Sequence, residues 1–127
     1  MTATHMQTPR KTAAGLGAAK GGTSHFIQQR VTAIALVALV LWFILALVGA
    51  LHAGYPGARA FIANPVNAVL LILLVTAAFW HMQIGLQVII EDYIGKHGTR
   101  AALLLLNIFV AASLWVIAAF SILSIAL

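Results

Sequence analysis

Residues 31–51 read VTAIALVALVLWFILALVGAL, a run with no charged side chain. As a helix rising roughly 1.5 Å per residue, it is long enough to cross the roughly 30 Å hydrocarbon core of a bilayer. Gly54, Tyr55, Pro56 and Gly57 follow, a cluster of chain breakers. Asn64-Pro65 then offers a helix start, with an N-cap side chain and a proline whose missing N–H costs nothing in the first turn. Two further apolar runs follow, Val66 to Ile90 and Ala101 to Leu127, separated by Gly95-Lys96-His97-Gly98. The expectation is an all-α integral membrane protein with three transmembrane helices at about 31–51, 66–92 and 101–126. These form a membrane domain over 24–127, preceded by a flexible basic tail over 1–23 that leads into a short interfacial helix.

Composition supports that class. Over 127 residues, 63% are hydrophobic and only 7% are charged, against about 25% charged in an ordinary soluble domain. So few charges cannot cover the surface of a soluble fold, and so much apolar surface is not the mark of disorder. With no cysteine, disulfides, thiolate metal sites and cysteine nucleophiles are excluded. The net charge of +5 could suggest nucleic acid, but the basic residues flank the apolar runs, where they mark the cytoplasmic side. Arg10, Lys11, Lys20 and Arg30 precede the first span, Lys96 and Arg100 lie between the second and third, and Arg59 alone lies on the other side. This places the N-terminus inside and the C-terminus outside. No nucleic-acid partner is expected; the lipid bilayer is.

Polar groups inside the second span carry the chemical interest, because such groups are expensive in hydrocarbon. His81 is the one histidine well inside a span, about 16 Å along the helix from Asp92 at roughly 1.5 Å per residue. Gly85 lies one turn away on the same face and leaves a notch beside the imidazole. The pair suits axial ligation of a haem iron. It equally suits a histidine that hydrogen-bonds to a neighbouring helix, with Gly85 as a packing residue. No second histidine lies at a matching depth, so a second imidazole ligand would come from another chain.

At the basic end of the same span stand Glu91-Asp92-Tyr93, which include both acids of the chain. Across from them lie Ser24, His25, Gln28, Gln29 and Arg30. A solvated helix end with an interfacial tyrosine is one reading. A cluster that orients and protonates a carbonyl-bearing lipid such as a quinone is the other. In that second reading the Tyr93 phenol is a neutral donor, whereas an ionised carboxylate only accepts. Asn107 and Ser113 in the third span read as helix–helix hydrogen bonds, and Trp42 and Trp115 as lipid-facing or packing residues.

The stretch His81-Met82-Gln83-Ile84-Gly85, with Asp92-Tyr93 downstream, resembles the family of hydrophobic membrane anchor subunits of succinate dehydrogenase. Ser24-His25-Phe26-Ile27-Gln28-Gln29-Arg30-Val31-Thr32-Ala33 is similar to that family's pre-helix motif. Gly15-Leu16-Gly17-Ala18-Ala19-Lys20-Gly21-Gly22 is similar to its alphaproteobacterial and mitochondrial-like members. The resemblance covers roughly residues 15–127, and the spacing of histidine, glycine and Asp-Tyr is its most specific part.

The resemblance implies an anchor that pairs with the three-helix cytochrome b subunit of succinate dehydrogenase and holds the flavoprotein and iron–sulfur subunits at the bacterial inner membrane. Electrons then pass from succinate to ubiquinone. It implies His81 as axial ligand to a haem b shared with the cytochrome b subunit, with Gly85 and Arg30 in the haem pocket and near its propionates. It implies Tyr93 and Asp92 at the quinone. Glu91 lies outside the motif and could share the acid's role. The chain itself has no dinucleotide fold and no room for flavin or succinate, so it is not expected to be catalytic alone. A cofactor-free structural or assembly subunit is the alternative from a different class.

Overall fold

The computed structural model describes residues 19–127, with side chains from residue 22. Arg10, Lys11 and most of the expected tail lie outside the described residues. Among the described residues four helices follow one another: α1 (Ala19–His52), α2 (Gly54–Ala63), α3 (Pro65–Tyr93) and α4 (His97–Ala126). Three of them, α1, α3 and α4, are long and apolar enough to cross a membrane. The protein is a multi-pass membrane protein.

The segment before Val31 is not a separate interfacial helix. It belongs to α1, which runs unbroken for 34 residues, because no proline or turn-forming pair interrupts it between Ser24 and Val31. The second difference lies at the opposite end, where the breaker cluster folds into the ten-residue helix α2. Gly54 makes the corner with a φ of +66°, a left-handed value that favours glycine. Pro56 falls in the first turn, where its missing N–H is no loss. Gly57 passes so close to α1 that a Cβ there would lie 2.4 Å from Ala53 Cβ and 2.8 Å from the Ala50 carbonyl oxygen. The same residues that end one helix therefore permit the next to turn back sharply.

The start of α3 follows the Asn64-Pro65 signal. The Asn64 side chain accepts from the backbone N–H of Val66 at 3.0 Å and of Asn67 at 3.3 Å, filling two of the donors a helix start leaves open. At the other end, Arg100 Nε donates to the Ile94 carbonyl at 2.8 Å, which places a cation at the negative end of the α3 dipole.

The spans form a layer with α3 in the middle. It packs on α1 on one side and α4 on the other, while among the described residues α1 and α4 do not touch. The short α2 contacts all three spans, and its Phe61 ring lies 5.9 Å from that of Trp42. Small residues occupy much of the centre: Ala68, Ala77 and Ala111 are buried beside Leu71 and Ile84. Small side chains let helices approach closely where lipid removes any hydrophobic reason to associate. Most large apolar side chains face outward, such as Leu45 at 76% and Phe120 at 72% exposed. In lipid that exposure carries no penalty.

Candidate functional site

Because α3 is central, its polar residues are divided between two neighbours. Toward α4, Asn107 is buried and donates from Nδ2 to the Gln83 carbonyl at 2.8 Å. On the same side, Trp115 Nε1 donates to Thr76 Oγ1 at 2.8 Å. The expectation of a helix–helix hydrogen bond holds for Asn107. Ser113 is exposed and makes none among the described residues.

Toward α1 stands His81. Its Nδ1 lies 3.0 Å from Thr32 Oγ1 and its Nε2 lies 3.4 Å from Gln29 Nε2. Thr32 is buried, and its hydroxyl also reaches the Gln28 carbonyl at 2.7 Å. The carboxamide oxygen of Gln29 is buried with no hydrogen-bond partner among the described residues. Such an atom is rare in a folded protein and calls for an explanation.

Gly85 lies beside this group, where an added Cβ would meet Gln29 Nε2 at 3.6 Å, an ordinary contact. The space continues into a cavity of about 700 Å³ between α1 and α3, lined among others by His25, Phe26, Gln29, Gly85, Gln87 and Glu91. Glu91 is held there by Gln87, whose Nε2 donates to Glu91 Oε1 at 2.8 Å. Arg30 is exposed and does not line the cavity; its guanidinium lies 5.0 Å from the centre of the ring of Phe26, which does. Asp92 is exposed and Tyr93 is 82% exposed; neither lines the cavity. Of the two acids, it is Glu91 that faces it.

The site residues read from the sequence thus separate into two groups. Gly85 lines the cavity beside Gln29, His81 lies one turn back along α3 with Nε2 against the Gln29 amide, and Asp92 and Tyr93 do not line the cavity. The sequence alone does not single out Thr32 and Gln29 as partners of the imidazole. Their spacing is the available signal, since residues three apart share a helix face, and both precede or enter an otherwise apolar run.

Among the described residues, no group of three or more histidines and acids could hold a bare metal ion. A lone imidazole can still ligate a metal whose remaining ligands arrive with a macrocycle or another chain. The residues present fit that role. One ring nitrogen has a buried partner, the other faces a loosely placed amide, and that amide and Gly85 line a cavity. The outer groove between α3 and α4, about 440 Å³ and lined by Thr76, Phe79, Trp80 and Trp115 among others, has no comparable ligand atom.

Comparison with known proteins agrees with this architecture. Residues 4–123 match the model of the succinate dehydrogenase/fumarate reductase transmembrane subunit. The succinate dehydrogenase hydrophobic membrane anchor subunit of Paracoccus denitrificans is 33% identical over 101 residues, covering 80% of this chain and 78% of the relative. That of Rickettsia bellii is 33% identical over 89 residues, covering 70% and 71%, and that of Rickettsia conorii 32% identical over 91 residues, covering 71% and 72%. With three apolar helices and a match over nearly its whole length, the chain belongs to the family of succinate dehydrogenase and fumarate reductase transmembrane subunits, among the hydrophobic membrane anchors of succinate dehydrogenase.

Proposed function

We propose that this chain works with a second three-helix anchor protein, the cytochrome b subunit, to bind a haem b and ubiquinone, and to deliver electrons from a flavoprotein and an iron–sulfur subunit to the quinone. The observation that carries the reading is the His81 site. An imidazole about half-way along an apolar helix has one nitrogen backed by Thr32 and the other facing the Gln29 amide, which itself lines a cavity of about 700 Å³. The haem, when bound, supplies a one-electron redox centre within the bilayer. His81 is its ligand from this chain, and Gly85 keeps clear the space beside it. Arg30 provides the nearby cation suited to propionate carboxylates.

Tyr93 and Asp92 serve the quinone at the end of α3. The phenol donates a hydrogen bond to a quinone carbonyl, and Asp92 supports the delivery of protons from water to the quinol that forms. Their exposure supports access from both water and the bilayer edge. The six-to-one distribution of basic residues supports placing this end on the cytoplasmic side of a bacterial inner membrane, with the C-terminus outside. That is also the side on which a soluble electron donor would dock.

The test is optical. In the complex assembled in membranes, His81→Ala is expected to remove most of the haem b absorbance or to shift its reduced spectrum. A spectrum identical to that of the parent complex would make His81 a packing residue and favour the cofactor-free structural subunit.

A further inference from the structure

A threonine hydroxyl has one proton to give and lone pairs to accept with. Thr32 Oγ1 has three polar neighbours: the Gln28 carbonyl at 2.7 Å, the Gln29 carbonyl at 3.2 Å, and His81 Nδ1 at 3.0 Å. Both carbonyls can only accept, so the proton goes to the nearer one, four residues back along the helix. The ring nitrogen must then be the donor.

Thr76 shows the same geometry with its direction fixed by chemistry. Its hydroxyl lies 2.7 Å from the Ile72 carbonyl, four residues back, and 2.8 Å from Trp115 Nε1. An indole N–H can only donate, so Thr76 accepts from the neighbouring ring while donating to its own helix. Thr32 makes the equivalent pair of contacts, with His81 in the place of tryptophan. The proton of His81 therefore sits on Nδ1, and Nε2 carries a bare lone pair. Gln29 agrees with that assignment, since its amide nitrogen, a donor, is the atom that faces Nε2 at 3.4 Å. That contact is long, and the other end of the same amide is a buried oxygen with no partner among the described residues. The amide is thus weakly held at both atoms and easily displaced by a better electron acceptor.

We infer that Thr32 is a positioning residue: by accepting the Nδ1 proton of His81 it holds the imidazole in the tautomer and orientation that present Nε2 to a metal, with Gln29 covering that nitrogen until the metal arrives. The inference rests on the haem reading of His81. An outer partner of this kind fixes the ligand's rotation and raises its basicity. Without it, the neutral ring can move its proton to Nε2, and an N–H cannot ligate.

The experiment uses the whole complex, in membranes and in mild detergent, with Thr32→Val, Thr32→Ser and His81→Ala compared. Valine keeps the branched shape and removes the oxygen. Thr32→Val is expected to weaken haem retention by about tenfold or more, the usual cost of losing an outer-shell partner. The haem that remains should titrate at a more positive midpoint, because a less basic ligand stabilises the oxidised iron less. Thr32→Ser restores the acceptor and should return both to the parent values. Thr32→Ala replaces the valine variant if that one fails to assemble, with the same shift expected. If haem retention and midpoint are unchanged when the oxygen is removed, while His81→Ala loses the haem, Thr32 has no positioning role and the haem reading stands. If His81→Ala itself leaves the spectrum intact, both the haem reading and the role of Thr32 are overturned.

Discussion

The two faces of α3 use the same device to different ends. Against α4, Thr76 accepts from Trp115, and Asn107 donates to the Gln83 carbonyl at 2.8 Å. Every polar atom named there has a partner, as expected of hydrogen bonds that tie helices together in lipid. Against α1, Thr32 meets His81 in the same geometry, but the group does not close on itself. Gln29 keeps a buried oxygen without a partner among the described residues, and a cavity of about 700 Å³ adjoins Gln29 and Gly85. A polar residue within a span is therefore not by itself a sign of chemistry. The sign is a polar group left incomplete beside open space.

The largest effect should come from closing that space. Gly85→Leu puts a branched side chain where even a methyl would meet Gln29 Nε2 at 3.6 Å, so the added atoms must fill the cavity or push α1 aside. Loss of most of the haem b absorbance from the assembled complex is expected, with the subunit still present in the membrane by immunoblot. Retention of normal absorbance would show that the notch is packing and would erase the contrast between the two faces.

Smaller, and confined to the end of α3, is the effect of Tyr93→Phe. The side chain is 82% exposed, so removing its hydroxyl should not disturb the fold. One hydrogen bond is worth about 0.5–1.5 kcal/mol, and a quinone carbonyl left unpaired raises that. Succinate:quinone activity should fall well beyond twofold, while reduction of a soluble dye by succinate stays near the parent value. Equal loss of both activities would point to assembly instead.

Much of this arrangement is legible in the sequence, and the remainder is hidden for identifiable reasons. Span positions follow from long charge-free runs, and the α3 start follows from Asn64-Pro65, whose cap bonds form as read. His81 and Gly85 stand out because one is polar where polarity is costly and the other lacks a side chain. The α2 helix is hidden because Gly54, Pro56 and Gly57 are breakers in a helix interior but compatible with a tight corner and a first turn. Thr32 and Gln29 are hidden for another reason. Their partner lies 49 and 52 residues away, and α1 is polar at Gln28, Gln29 and Arg30 in a row and apolar all round beyond Thr32, so no amphipathic stripe marks the face that meets α3. The acid lining the cavity, Glu91, is not the one that spacing favours: Asp92, eleven residues or about three turns from His81, shares its helix face, whereas the cavity is bounded by Gln87 and Glu91, one turn apart.

The smallest effect tests the comparison most directly. Thr76→Val makes on the α4 face the change that Thr32→Val makes on the α1 face, removing an oxygen that accepts from a ring N–H. Hydrogen bonds between helices in a membrane average about 0.6 kcal/mol and reach about 1.7. The substitution also removes the bond from Thr76 to the Ile72 carbonyl, a back-bond of a kind that slightly destabilises helices, which offsets part of the loss. A fall in stability of about 0.6 kcal/mol or less is therefore expected, read as a small drop in the denaturation midpoint of the detergent-solubilised complex. The haem spectrum and potential should not move. If Thr76→Val shifts them as far as Thr32→Val does, the two threonines do not differ in role, and the effect at Thr32 reflects loosened helix packing and not the state of His81.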